Sequence, residues 1–195
     1  SAARTVASVD SGRQPSSRSL VQTSCVGALA SKGIDDLLLI PLFPHYAMSS
    51  FETAVVRVQE VAAKIAPQMK ITVQPPCYRD EDYITALVGA SQDYLKKDFD
   101  HLLFSFHGIP ERHIKKSDTT GKHCLTVPNC CEVASPAHST CYRHQCFQTM
   151  AAFVKKAGIP KEKYSLSFQS RLGRDPWLKP YTDYELERLA KEGVK

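Results

Sequence analysis

From residue 34 onward, short apolar runs alternate with longer amphipathic segments, and this leaves few ways to fold the chain. Strands joined by crossover helices into parallel sheets satisfy it. Residues 36–43 predict a first strand, closed by Pro44. Ser50 is placed to cap a helix over 51–65, where Phe51, Ala54, Val55, Val58, Ala62 and Ile65 recur at helical spacing. Residues 70–73 predict a second strand, stopped by Pro75 and Pro76. Residues 80–97 predict a helix with Asp80, Glu81 and Asp82 at its positive end. A third strand over 101–106, a helix over 141–156 stopped by Gly158, a fourth strand over 164–168 and a helix over 183–191 follow. Residues 193–195 read as a turn toward a further strand. The expected class is α/β, with Rossmann-like parallel sheets and crossover helices.

At 195 residues and 43% hydrophobic content, one sizeable core or two small ones can be buried. The +5 net charge comes from Lys and Arg interleaved with Asp and Glu, so no basic block suggests nucleic acid as a partner. No apolar run approaches the roughly 20 residues of a membrane-spanning helix. Residues 1–24 are rich in Ser, Arg and small residues and lack the apolar centre of a secretory signal. A cytoplasmic protein is expected, with peripheral contact to a membrane surface left open. Residues 1–29 are read as a flexible start.

Two constellations carry chemistry. In the first, the apolar run Leu102-Leu103-Phe104-Ser105-Phe106 stops at His107-Gly108-Ile109-Pro110, which reads as a buried strand presenting a histidine at its carboxyl end. Ligands of open α/β sheets bind there. Gly108 permits close approach or an unusual backbone angle, and Pro110 stiffens the exit. A second strand end, Gln169-Ser170, leads into a loop punctuated by Gly173 and Pro176 that carries the single tryptophan, Trp177. Together they suggest the wall of a flat aromatic pocket. The second constellation is Cys124, Cys130, Cys131, Cys141 and Cys146, five of the seven cysteines, within a polar stretch too long for an ordinary connection. Their spacing matches no standard zinc finger or plant-type ferredoxin, and zinc and an iron-sulfur cluster both remain open. His113, His123, His138 and His144 are near enough to be alternative ligands but read as solvated side chains, and Cys25 and Cys77 as ordinary residues.

Ser105-Phe106-His107-Gly108-Ile109-Pro110, then Phe168-Gln169-Ser170-Arg171-Leu172-Gly173, then Pro176-Trp177-Leu178-Lys179-Pro180-Tyr181-Thr182-Asp183 resemble the signature segments of ferrochelatase. Leu39 through Tyr46 is similar to the loop closing the first half of that fold. The resemblance implies a lyase of haem biosynthesis that inserts Fe(II), its substrate metal, into protoporphyrin IX. It implies an incomplete chelatase-like fold, with residues 30–98 ending a first half and 99–195 beginning a second. By resemblance His107 is the catalytic histidine, as Fe(II) ligand or proton acceptor. Ile109, Pro110, Gln169, Ser170, Leu172, Trp177 and Tyr46 would bind the macrocycle. Resemblance to bacterial members favours a 2Fe-2S cluster held by Cys124, Cys131, Cys141 and Cys146, with Cys130 as alternative to Cys131. The family's essential glutamate lies on a segment after the residues seen here, so little or no activity is expected of this polypeptide by itself. The alternatives are a metal- or tetrapyrrole-binding module without turnover, or a chelatase for another metal.

Overall fold

A computed structural model describes residues 5–9 and 15–194. The chain divides into two compact units, Ser1–Pro76 and Cys77–Lys195. The break comes before the helix that sequence reading had assigned to the first half.

The first unit is a parallel sheet of β1 (Thr5–Val9), β2 (Asp36–Pro41) and β3 (Lys70–Val73), in that spatial order. β1 runs into helix α1 (Pro15–Ser31), and a single π-helical turn (Met48–Glu52) leads into α2 (Thr53–Ile65) between β2 and β3. Thr5 pairs with Leu37, and Leu37 with Ile71. Helix α1 occupies residues 15–31, much of the expected flexible start, because Val26 packs into one core with Leu37, Leu39, Phe51, Val55 and Val58. Residues 1–4 and 10–14 of that start lie outside the described residues. Since α1 and α2 share this core, they cover the same sheet face. Leu37 and Leu39 are therefore buried while Leu38 and Ile40 are half-buried.

The second unit is built on two parallel strands, β4 (Leu102–His107) and β5 (Tyr164–Gln169), in register from Leu102–Tyr164 to His107–Gln169. Helix α3 (Glu81–Leu95) starts at Asp80, whose Oδ1 accepts the N–H groups of Asp82 and Tyr83 at 3.0 and 3.2 Å. α3 packs on α5 (Tyr142–Ala157), which explains why it joins this unit. Gly158 closes α5 at φ 68°, a left-handed cap that glycine adopts without steric cost. Helix α6 (Thr182–Lys191) packs on β5.

β4 is not the wholly buried strand expected. Ser105 and His107 are exposed, because β4 has a partner strand on one edge only among the described residues. A short helix, α4 (Glu111–Ser117), went unforeseen; it has Glu111 in its first turn and Lys115 and Lys116 in its last, matching the helix dipole. The core of this unit joins Ile109, Ile114, Leu166, Phe168 and Leu178 with Cys124, Cys141 and Cys146. Among the described residues no helix is long and apolar enough to cross a membrane.

Candidate functional site

The second unit carries both constellations. At the carboxyl end of the β4–β5 pair, the peptide joining His107 to Gly108 is held at both polar atoms. The Gly108 N–H donates to the Gln169 carbonyl at 2.8 Å, and the Tyr142 hydroxyl donates to the His107 carbonyl at 2.9 Å. A Cβ on Gly108 would stand 2.7 Å from the Gln169 oxygen and 3.4 Å from the Trp177 ring. Close approach, rather than an unusual backbone angle, is why glycine sits here.

The loop after β5 folds back along the loop after β4. Leu178 N–H donates to Ile109 C=O at 3.1 Å, Glu111 N–H to Pro176 C=O at 2.9 Å, and Phe168 N–H to Pro180 C=O at 2.8 Å. Within it, Trp177 Nε1–H donates to Leu172 C=O at 2.8 Å, fixing the indole against the turn at Gly173. The Arg171 guanidinium lies over the Tyr181 and Tyr184 rings at 4.5 and 4.8 Å and bonds Asp183 at 2.9 Å, while Arg112 pairs with Asp175. Ser170 has φ 68°, rare for a residue with a side chain and a form of strain that collects at functional sites.

Of the residues expected at the macrocycle, His107, Gln169, Ser170 and Leu172 are exposed, Leu172 by 78%, and Trp177 is half-buried. Ile109 and Pro110 are buried and frame the loop. Leu178, which the sequence did not single out, is buried beneath them. Tyr46 belongs to the first unit, half-buried with its ring 6.0 Å from Phe51. Burial there pushes its hydroxyl up to about 12, aided by Glu52.

The cysteine loop starts from one carboxylate. Asp118 Oδ1 accepts the Thr120 N–H and hydroxyl at 2.8 and 2.7 Å, and Oδ2 accepts the N–H groups of His123 and Cys124, both at 2.8 Å. Partial burial works to raise this carboxyl, but the Cys124, Thr120 and His123 donors outweigh it and hold it well below the usual carboxylate range. Sequence reading missed Asp118; its one available signal was the Asp-x-Thr spacing of a side-chain-capped turn. Asp118→Ala is expected to destabilise the chain by about 1 kcal/mol after allowance for solvent, seen as a lower urea midpoint. Because the folded carboxyl titrates below its unfolded value of about 3.9, its stabilisation is complete above that pH and fades as pH falls. The gap between wild type and variant should therefore narrow below about pH 4, and a gap that widened there would contradict this reading.

Downstream, the thiols of Cys124, Cys130, Cys131 and Cys141 lie near enough to act on one another's ionisation, Cys141 on both Cys124 and Cys131, and Cys130 on Cys131. Backbone and guanidinium donors point at the sulfurs: Leu125 N–H to Cys130 Sγ at 3.4 Å, His144 N–H to Cys141 Sγ at 3.4 Å, and Arg143 to Cys131 Sγ at 3.3 Å. Leu125 and Asn129 both take left-handed φ, 60° and 52°, as the loop turns around Cys130. Burial pushes the Cys124 thiol up to about 11, and the bond to Cys141, then burial, push Cys131 upward. Thiolate ligation here must therefore displace protons. Cys146 is fully buried, pushed upward by burial, and bonds Tyr142. Cys130 and Cys141 both act on Cys131, and Cys131 in turn acts on Cys146.

The nearby histidines are not solvated as expected. His123 Nε2–H and His138 Nε2–H both donate to the Cys130 carbonyl, at 2.7 and 2.8 Å, using both its lone pairs, and His144 Nδ1–H donates to the Cys131 carbonyl at 2.8 Å. His123 and His144 are buried, and His138 stacks on His144 with ring centres 3.6 Å apart. They brace the backbone of the cysteine loop. His113 carries a buried Nδ1 with no hydrogen-bond partner among the described residues. Among the described residues no three His, Cys, Asp or Glu side chains form a ready site for a metal ion. An open cavity of about 340 Å³ adjoins Cys130, with Arg143, Lys179 and Glu111 on its wall.

A family model described as Ferrochelatase matches residues 16–195, taking in most of α1. A curated ferrochelatase of Opitutus terrae is 52% identical over 172 residues, covering 88% of this chain and 50% of the relative. Those of Stutzerimonas stutzeri and Pseudomonas fluorescens are 44% and 42% identical, covering 86% and 88% of this chain and 49% and 51% of the relatives. The chain spans about half the length of the curated relatives it matches.

Proposed function

Since the chain belongs to the ferrochelatase family, we propose that it serves the insertion of Fe(II) into protoporphyrin IX. The observation that carries this reading is His107, exposed at the carboxyl end of two parallel strands on a peptide held by Tyr142 and Gln169. Metal insertion replaces two pyrrole N–H protons with one divalent ion, so the site must take up protons and pass a partly dehydrated metal. A neutral imidazole suits either task, offering its lone pair to a proton or to Fe(II). Trp177 and Leu172 supply flat and apolar contact for the ring, Gln169 and Ser170 polar contact at its edge, and Ile109 and Pro110 the rigid support.

Cys124, Cys130, Cys131 and Cys141 are the residues that hold a 2Fe-2S cluster in this proposal. The chemistry of the donor set supports this: the four thiols act on one another, and N–H and guanidinium donors are aimed at the sulfurs of Cys130, Cys131 and Cys141, as in the surroundings such clusters use, although the sulfurs are not gathered into a ready site. When bound, the cluster supplies a one-electron couple and a crosslink across the loop. Every cysteine is free, which fits a reducing compartment such as the cytoplasm.

The test is anaerobic titration with protoporphyrin IX, followed by Fe(II) or Zn(II). A saturable change in the porphyrin Soret band, then metalloporphyrin bands rising only weakly, though faster than without protein, is the expected result for a chain that spans about half the length of its relatives. An unchanged Soret band would sink the reading. Binding without faster metal uptake would leave a tetrapyrrole-binding module, and uptake confined to another metal would reassign the substrate.

A further inference from the structure

We propose that Tyr142 is a positioning residue that transmits the state of the cysteine loop to His107. The inference rests on the proposed reading of His107 and of the grouped cysteines. Tyr142 follows Cys141 directly and begins α5, so any movement of the Cys141 sulfur pulls on its backbone. Its hydroxyl donates to the His107 carbonyl at 2.9 Å across 35 residues of sequence. The other polar atom of the same peptide, Gly108 N–H, is bound by β5. The imidazole therefore rides on a peptide with one tether to the sheet and one to the cysteine loop. Of the two, only the second can change with what the cysteines hold.

The loop side of this link is braced. Cys141 lies beside Cys124 and Cys131, and the carbonyls of Cys130 and Cys131 accept hydrogen bonds from His123, His138 and His144. A phenol is protonated at neutral pH, so Tyr142 stays able to donate. Filling or emptying the loop changes how Cys141 is held, and the hydroxyl passes that change to the His107 peptide.

The experiment uses the full chain with isotope-labelled histidine, purified anaerobically, with the His107 imidazole resonance identified by its absence in His107→Gln. Visible absorption reports the cluster in each sample. Cys131→Ser is expected to bleach the visible bands and displace the His107 resonance. Tyr142→Phe, which deletes one oxygen, is expected to keep the bands and still displace the resonance. In the double variant, loss of the cluster should add no displacement beyond that of Tyr142→Phe. An unmoved resonance in Tyr142→Phe overturns the proposal, as does a double variant in which the two displacements add. If Tyr142→Phe failed to fold, an unmoved resonance in Cys131→Ser would overturn it equally. A colourless wild type would remove the cluster reading alone, and the Tyr142→Phe resonance would still decide the role of Tyr142.

Discussion

His107→Ala is expected to slow metal insertion into protoporphyrin by roughly 100-fold or more, the scale of losing one positioned acid–base group, while the Soret change on porphyrin binding is kept. The side chain is exposed and its imidazole packs in neither core, so its removal should leave folding stability almost unchanged. In the proposed reading, porphyrin contact falls to other groups, Trp177, Leu172, Gln169 and Ser170. Measured side by side, insertion rate and Soret titration separate loss of chemistry from loss of binding. Equal insertion rates in wild type and variant would remove His107 from the reaction. A lost Soret change with unaltered unfolding would make it a porphyrin contact instead.

The second large effect concerns the cysteines. Cys141→Ser is expected to abolish the visible bands and protein-bound iron and sulfide, because Cys141 joins Cys124 to Cys131 and receives the His144 N–H. Cys130→Ser is expected to do the same. Cys146→Ser is expected to retain colour and iron, since that sulfur lies buried against Tyr142. Bleaching by Cys146→Ser, with retention in Cys130→Ser, would restore the ligand set drawn from family resemblance. A colourless wild type holding zinc would replace the cluster with a different metal.

Much of the second unit was legible in the sequence because its signals are local. Apolar runs and Pro or Gly stops mark β4 and β5 to within one residue at each end, as they mark β3 of the first unit at its own bounds. Asp80 and Gly158 announce the ends of helices through capping chemistry that acts over three or four residues. Helix α4 escaped because seven residues carry too little periodicity, and α1 because its polar composition hid the one packing face that includes Val26. The buried histidines misled for a related reason. A histidine between polar neighbours reads as solvated until the carbonyl it serves is known.

The sequence by itself determined the order of strands and helices from β2 onward, α4 apart, the position of His107 at a strand end and the crowding of five cysteines into one short stretch. Each follows from interactions between near neighbours along the chain. Tertiary structure alone decided which sulfurs meet, that three histidines brace the loop, that Asp118 gathers its start, and that Tyr142 and Gln169 grip the peptide of His107. Those outcomes depend on the register of β4 against β5 and on where α5 lands, and hydrogen bonds between residues far apart in sequence form only once that geometry exists.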